Sequence, residues 1–325
     1  MLKQLNYDNL LQLLETISTD YALQVPTLLA DGTRLLANYG SGELSLTGPP
    51  LQRKPTSAFF PQTELLLTID VEGQVHLPQP EKPVALFGLD RTDLAALTFL
   101  DRFFCAPPAD DIYQRKRDRA LIISLTGSAG PERSFLPLTE DNCDIEMSAV
   151  NGQYLALGHS ELGQGFLDGF ADGDPQQLED LRRESAQQVS PAELLQQASR
   201  LLSEERVPDR FWKEIADKCI LCSGCNLACP TCSCFGVQDR QSGHGTERSR
   251  VWDSCQLDAF MREASGHNPL GSEQLRTRRR IHHKLVADVE RWGELGCVAC
   301  GRCDRACPVG IGMLAVAEEI VRRFN

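Results

Sequence analysis

Residues 219–236 read CILCSGCNLACPTCSCFG, with six cysteines between Cys219 and Cys234. The first four follow a fixed spacing: Cys219-x2-Cys222-x2-Cys225-x3-Cys229, with Pro230 next. The same run recurs near the C-terminus as Cys297-x2-Cys300-x2-Cys303-x3-Cys307, again with a proline, Pro308. A twice-given pattern of soft sulfur donors at fixed intervals points to bound metal, because paired disulfides have no need of such spacing.

The spacing selects the metal. Three thiolates at x2 intervals on a tight loop reach three corners of one [4Fe–4S] cube. The fourth, three residues on at a helix start, points toward a second cube, so in two-cluster proteins the fourth ligand crosses over. The expected ligands are therefore Cys219, Cys222, Cys225 and Cys307 for one cluster, and Cys297, Cys300, Cys303 and Cys229 for the other. A pair of four-cysteine zinc sites is the plain alternative, but zinc ribbons use two CxxC pairs and have no need of a third cysteine and an x3-Cys-Pro ending. A sirohaem-type set can be drawn from Cys219, Cys225, Cys303 and Cys307, but it leaves four cysteines and both prolines unexplained. Cys232, Cys234 and Cys255 remain. They read as small buried residues packing near the clusters, with a third metal site completed by His244 or His267 as the sharper alternative.

The totals fit this reading. The chain has 325 residues, is 42% hydrophobic and 24% charged, and carries a net charge of −12. That balance suits a globular chain with a real core. It argues against a general nucleic-acid binder, which needs cationic charge, and against docking on an anionic membrane. The longest apolar run, Leu65 to Ile69, is strand-sized, so no membrane span is expected. MLKQLNYDNL lacks the features of a secretory signal. The thirteen cysteines are thus expected in the reducing cytoplasm, where clustered thiols are metal ligands before they are disulfides.

Outward from the cysteine runs the character changes. Glu64 to Asp70, Val84 to Gly88 and Leu121 to Leu125 read as buried strands. Asn9 to Ile17 and Asp93 to Phe104 read as helices. Residues 1–170 are expected to form an α+β or α/β domain, with no phosphate-binding loop. Residues 171–205 read as a helical linker, polar through 190, then a capping box at Ser190-Pro-Ala-Glu193 opening a leucine-rich helix. Residues 206–325 are expected to be a mostly helical, ferredoxin-like domain with a long helical insert between the two runs. Helices are expected from Asp253 through Met261, over Glu273 to Trp292, and from Met313 to Phe324.

Charged features have ordinary readings beside functional ones. EQLRTRRRIHHK, 273–284, is either a solvated helix face or a set of cations offsetting the anionic cubes. His282 and His283 read as surface or packing residues. Arg115 to Arg119 reads as a solvated face. Asp90 and Asp93 are candidates for paired acid/base carboxylates, though Asp93 suits a helix start.

Several motifs together resemble one family over nearly the whole chain: FFPQTE at 59–64, LFGLDRTD at 86–93, DIY at 111–113, CPTC at 229–232, RVWDSC at 250–255 and GHNP at 266–269. The family comprises β subunits of cytoplasmic sulfhydrogenase-type NiFe hydrogenases and the corresponding electron-transfer subunits of anaerobic sulfite reductases. The resemblance implies an iron–sulfur electron-transfer subunit with two [4Fe–4S] clusters and no catalytic centre of its own. Its implied partners are a hydrogenase or sulfite reductase core and a flavin/NAD(P)H-binding subunit. A stand-alone iron–sulfur reductase with a substrate site in the N-terminal domain is the alternative. The chain departs from the family at Arg91-Thr92-Asp93, where Pro-Cys-Asp is common, and at 125–138, which lacks cysteines. Those departures leave no basis for a further cofactor there.

Overall fold

The apolar runs at 84–88 and 121–125 lie side by side as neighbouring parallel strands. In the computed structural model, residues 1–48, 50–79, 81–126, 142–185 and 191–325 are described. The chain divides into two compact units, Met1–Phe59 with Gln79–Val189, and Phe60–Pro78 with Ser190–Asn325.

The first unit holds β1 (Leu2–Leu5), α1 (Tyr7–Asp20), β2 (Ala22–Leu28), β3 (Arg34–Asn38) and β4 (Glu43–Leu44). After two strands of the other unit come β7 (Val84–Leu89), α2 (Arg91–Cys105), α3 (Asp111–Arg117), β8 (Leu121–Thr126), β9 (Ile145–Val150), β10 (Gln153–Gly158), α4 (Glu161–Leu167), β11 (Ala171–Asp172) and α5 (Pro175–Ser185). The sheet order is β11-β1-β10-β9-β8-β7-β2-β3, with β4 beside β2. Strands β2, β7, β8 and β9 run parallel, and the inner pair, β7 and β8, has the near-continuous apolar sequence of strands covered on both faces.

Helix α1 starts where Asn6 accepts from the Asn9 backbone N–H at 2.8 Å. Its buried Leu10, Leu13, Leu14 and Ile17 recur at helical spacing and pack with Phe87, Ile123 and Met147. Each such side chain contributes roughly 2 kcal/mol by leaving water. Asp90 caps α2, accepting from the Asp93 N–H at 2.9 Å and the Thr92 hydroxyl at 2.7 Å. Asp90 therefore has a structural task at a helix start. The 115–119 run is only partly a solvated face: Arg117 donates to both Asp101 oxygens at 2.8 Å and lies over the Phe59 ring.

Residues 171–185 lie within the first unit. There α5 packs Leu178 and Leu181 against Leu155, so a segment that reads as polar linker is an amphipathic helix with a narrow apolar stripe. Ser190 of the expected capping box lies outside the described residues.

The second unit contains β5 (Thr63–Ile69), β6 (Val75–His76), α6 (Ala192–Ser203), α7 (Asp209–Ala216), α8 (Gly224–Leu227), β12 (Phe235–Ser242), β13 (Gly245–Trp252), α9 (Glu273–His282), α10 (Asp288–Trp292), α11 (Arg302–Ala306) and α12 (Met313–Phe324). Its core joins Leu195, Leu201, Phe211, Trp212, Ile281, Leu285, Val316 and Ile320, against which Cys219, Cys297, Cys303 and Cys307 pack. A π-helical turn, His283–Ala287, links α9 to α10.

The insert between the cysteine runs differs from expectation. It carries the β12–β13 hairpin, which β5 and β6 extend into a sheet of order β12-β13-β5-β6. Polar residues hid it: the strands read Gln, Asp, Arg and Ser, stabilised across the pair by Arg248 on Asp239 at 2.7 Å. No apolar run marks such a ribbon. The helix expected from Asp253 is instead a short 3₁₀ turn, Asp258–Met261, because the Asp253 N–H continues the ladder to the Cys234 carbonyl.

Candidate metal centre

The two cysteine runs fold alike. Leu221 and Ser223 take left-handed conformations, with φ of 54° and 61°, on either side of Cys222. Ala299 and Gly301 do the same around Cys300, with φ of 58° and 67°. Positive φ at a non-glycine residue costs on the order of 1–3 kcal/mol and concentrates at functional sites. Here it curls each loop so that backbone N–H groups turn inward. The Leu221 N–H donates to Cys219 Sγ at 3.4 Å, and the Ala299 N–H does the same for Cys297.

Each loop runs into a one-turn helix, α8 or α11, that bears the third cysteine. The fourth follows, with the Cys229 N–H on the Asn226 carbonyl and the Cys307 N–H on Asp304. The sequence repeat is thus a structural repeat, residue for residue.

Between the two loops lie two hollows of similar size. Cys297, Cys300, Cys303 and Cys229 line the first. Cys219, Cys222, Cys225 and Cys307 line the second. Each hollow thus takes three cysteines from one run and the fourth from the other. Cys225 also reaches the wall of the first hollow, since it sits between them. Cys222 is the exposed member of the set. Among the described residues no three Cys, His, Asp or Glu side chains converge closely enough to share a single metal ion; the sulfurs ring spaces instead.

The walls suit an anionic sulfide-rich group. The Ile311 N–H donates to Cys307 Sγ at 3.4 Å and the Met313 N–H to Cys303 Sγ at 3.3 Å. Asp304 accepts from the next two N–H groups of α12, Leu314 and Ala315. Gly312 makes this fit possible: a Cβ there would stand 2.4 Å from Asp304 Cα. Three buried polar atoms of the second hollow's lining, Ser223 Oγ, Thr277 Oγ1 and Gln256 Oε1, have no hydrogen-bond partner among the described residues. Two of them are hydroxyls free to donate, a requirement that sulfur acceptors in the hollow would meet.

Burial pushes the thiols upward. Cys297 is raised to about 12, and Cys225, Cys300 and Cys303 rise for the same reason. Cys229 goes the other way, because Cys232 donates to it and Lys284 faces it. Metal binding must therefore displace protons from most of these sulfurs.

Sequence reasoning left the cations of 273–284 undecided between surface and site. The structure buries a line of them: Arg276, Arg280 and Lys284 are each at most 6% exposed. Lys284 Nζ donates to Thr231 Oγ1 at 2.6 Å and to the Gly296 carbonyl at 3.1 Å. Burial alone would favour neutral Lys284, yet the Cys229, Cys232 and Cys297 sulfurs reverse the shift and hold it cationic. Arg280 donates to the Ile311 carbonyl at 2.6 Å and faces Cys225, Cys303, Cys219 and Cys307. The signal was the four-residue spacing of 276, 280 and 284, one helix face. His283 is lowered to about 4, by burial and then by Arg279 and Lys284, and lines neither hollow.

Cys255, Cys234 and Cys232 line neither hollow. Cys234 donates to Cys255, which lowers Cys255 to about 6, and Asn226 Nδ2 donates to the same sulfur at 3.1 Å. These contacts brace the residue next to Cys225.

Comparison with known proteins agrees with the geometry. Residues 218–311 match the family model of the 4Fe-4S dicluster domain. Sulfhydrogenase 2 subunit beta of Pyrococcus furiosus is 29% identical over 251 residues, 72% of this chain and 73% of that protein. No solved structure matches. Both matches support the resemblance to hydrogenase β subunits read from the sequence motifs.

Proposed function

We propose that this chain, a relative of the sulfhydrogenase β subunits, is a cytoplasmic electron-transfer subunit with two [4Fe–4S] clusters and a helical, ferredoxin-like second unit. The clusters, when bound, act as one-electron carriers. Cys219, Cys222, Cys225 and Cys307 would hold one, and Cys297, Cys300, Cys303 and Cys229 the other. The observation that carries the reading is the pair of cysteine-lined hollows: Cys229 of the first run lines the hollow of Cys297, Cys300 and Cys303, and Cys307 of the second run lines that of Cys219, Cys222 and Cys225, with Cys225 shared by both walls.

The chain's own residues supply the rest. The left-handed loop residues curl each loop so that its sulfurs turn toward the hollows. Backbone N–H groups of Leu221, Ile311 and Met313 stabilise thiolate sulfur. Arg280 and Lys284, both buried, would offset its charge. These are the levers by which a protein sets a cluster's potential. Electrons would pass between a hydrogenase core, favoured over a sulfite reductase core by the named relative, and a flavin/NAD(P)H-linked partner. No helix among the described residues is long and apolar enough to cross a membrane.

The test is anaerobic purification with iron, acid-labile sulfide and zinc measured together. The expected product is brown, holds iron and sulfide in equal amounts, and gives an EPR signal on reduction. A colourless, zinc-loaded chain overturns the reading. Affinity capture of the chain should bring down a nickel-containing subunit; a sirohaem subunit in its place would reassign the core.

A further inference from the structure

One helix face touches both hollows in sequence order. Thr277 lines the second hollow, Arg280 lines both, and Lys284 lines the first. Residues three and four apart on a helix stand one above the other, and Thr277, Arg280 and Lys284 form such a column. The column is continuous through the start of the π-helical turn at His283. A π-turn shifts the register of the face beyond it and is common at functional sites. All three side chains are buried, at 1%, 5% and 6% exposure.

We propose that this column sets the reduction potentials of the two clusters separately: Lys284 acts on the cluster of Cys297, Cys300, Cys303 and Cys229, Thr277 on that of Cys219, Cys222, Cys225 and Cys307, and Arg280 on both. The proposal rests on the two-cluster reading above and goes beyond it by assigning residues to each potential.

The physical basis is direct. Reducing a thiolate-ligated cube adds negative charge inside a poorly solvated wall. A fixed cation there stabilises the reduced form more than the oxidised form, which raises the potential. Lys284 is tethered to Thr231 and Gly296, so its charge is held in place beside one hollow. Asp304 lines the same hollow and opposes it, but its oxygens already accept from two α12 N–H groups. Arg302, also buried, bonds toward Cys300 and adds to Lys284. The second hollow has no lysine in its lining. It has instead Thr277 Oγ1, buried with no partner among the described residues. A hydroxyl donor aimed at cluster sulfur strengthens as charge builds on that sulfur, so it too raises the potential. Arg280 is common to both walls, so both potentials depend on it.

The test is a redox titration of the anaerobically loaded full-length chain, read by EPR. Signals are assigned with Cys300→Ser for one cluster and Cys222→Ser for the other. Lys284→Met should lower the Cys300-side potential so that the oxidised-to-reduced ratio at fixed potential rises at least tenfold, about 59 mV for a one-electron couple, with the Cys222-side signal unmoved. Thr277→Val should lower only the Cys222-side potential, by less, because a hydrogen bond is weaker than a charge. Arg280→Leu should lower both, and Arg280→Lys, which keeps the charge, should restore most of the loss. If Arg280→Leu does not assemble clusters, the two private variants decide the matter. Potentials unchanged in both private variants, or moved equally at both clusters, overturn the proposal. A wild-type chain without iron and sulfide would instead overturn the two-cluster reading itself.

Discussion

Lys284 Nζ lies 2.6 Å from Thr231 Oγ1, a hydroxyl that is itself 3.3 Å from Cys229 Sγ. The cation of the central helix is thus tied to the chain two residues beyond Cys229. Thr231 also donates to the Gly296 carbonyl at 2.7 Å, next to Cys297. One hydroxyl therefore joins the first run, the second run and the helix between them.

Thr231→Val keeps the shape and removes that junction. Lys284 would lose one of its two acceptors inside the wall. A buried polar group left short of partners costs about 1–3 kcal/mol. Chemical denaturation of the loaded chain should show a loss of that size, while Thr231→Ser should keep most of the stability.

Gly312→Ala puts a methyl group against Asp304 Cα, a backbone-anchored atom that cannot swing away. The start of α12 must then move, and with it the Met313 N–H on Cys303. Overpacking of this kind costs about 1–3 kcal/mol. The expected result is a chain that folds but loads less iron, with the loss confined to the Cys303-side EPR signal.

Arg250 and Glu64 form a buried ion pair joining β13 to β5, with the guanidinium over the rings of Phe60 and Phe235. Removing one partner strands a charge, at a cost of about 3–5 kcal/mol. Glu64→Leu should show that loss in thermal unfolding. Glu64→Leu with Arg250→Met together should recover most of it, since neither charge is then left alone.

His283 is lowered to about 4, first by burial and then by Arg279 and Lys284. The unfolded chain's histidine takes a proton near pH 6.5. Between those values the unfolded state binds more protons, so stability falls as pH drops from about 6.5 toward 4. The His283 side chain is 42% exposed by surface area, which screens the effect to on the order of 1 kcal/mol. His283→Gln should lose less stability than the wild type between pH 7 and pH 5, as followed by unfolding at each pH. An equal loss in both would mean that other groups carry the acid sensitivity.

The cysteine runs were legible because their spacing is itself the geometry: three sulfurs on one curled loop and a fourth past one helical turn. Of the parallel strands, β7 and β8 were legible because their apolar sequence is nearly unbroken, whereas Gln24, Pro26 and Thr27 interrupt β2 and Glu146 and Ser148 interrupt β9. Two of the features that were not have a plain physical reason. The β12–β13 hairpin carries few apolar residues and is stabilised by Arg248 on Asp239 and by β5, a strand far earlier in the chain, so no local pattern announces it. The burial of Thr277, Arg280 and Lys284 was undecided for the opposite reason. The charges of Arg280 and Lys284 suit a solvated face and a cluster wall equally well in the sequence, and Thr277 carries no charge to mark it; the burial of the two cations decides between the readings.

Cys229→Ser decides whether the fourth ligands cross. The variant chain, loaded with iron and sulfide and reduced, is compared by EPR with Cys300→Ser and with Cys222→Ser. Its spectrum should match that of Cys300→Ser, with the cluster of Cys219, Cys222, Cys225 and Cys307 intact and the other lost or altered. A spectrum matching Cys222→Ser would place Cys229 with its own run and contradict the exchange.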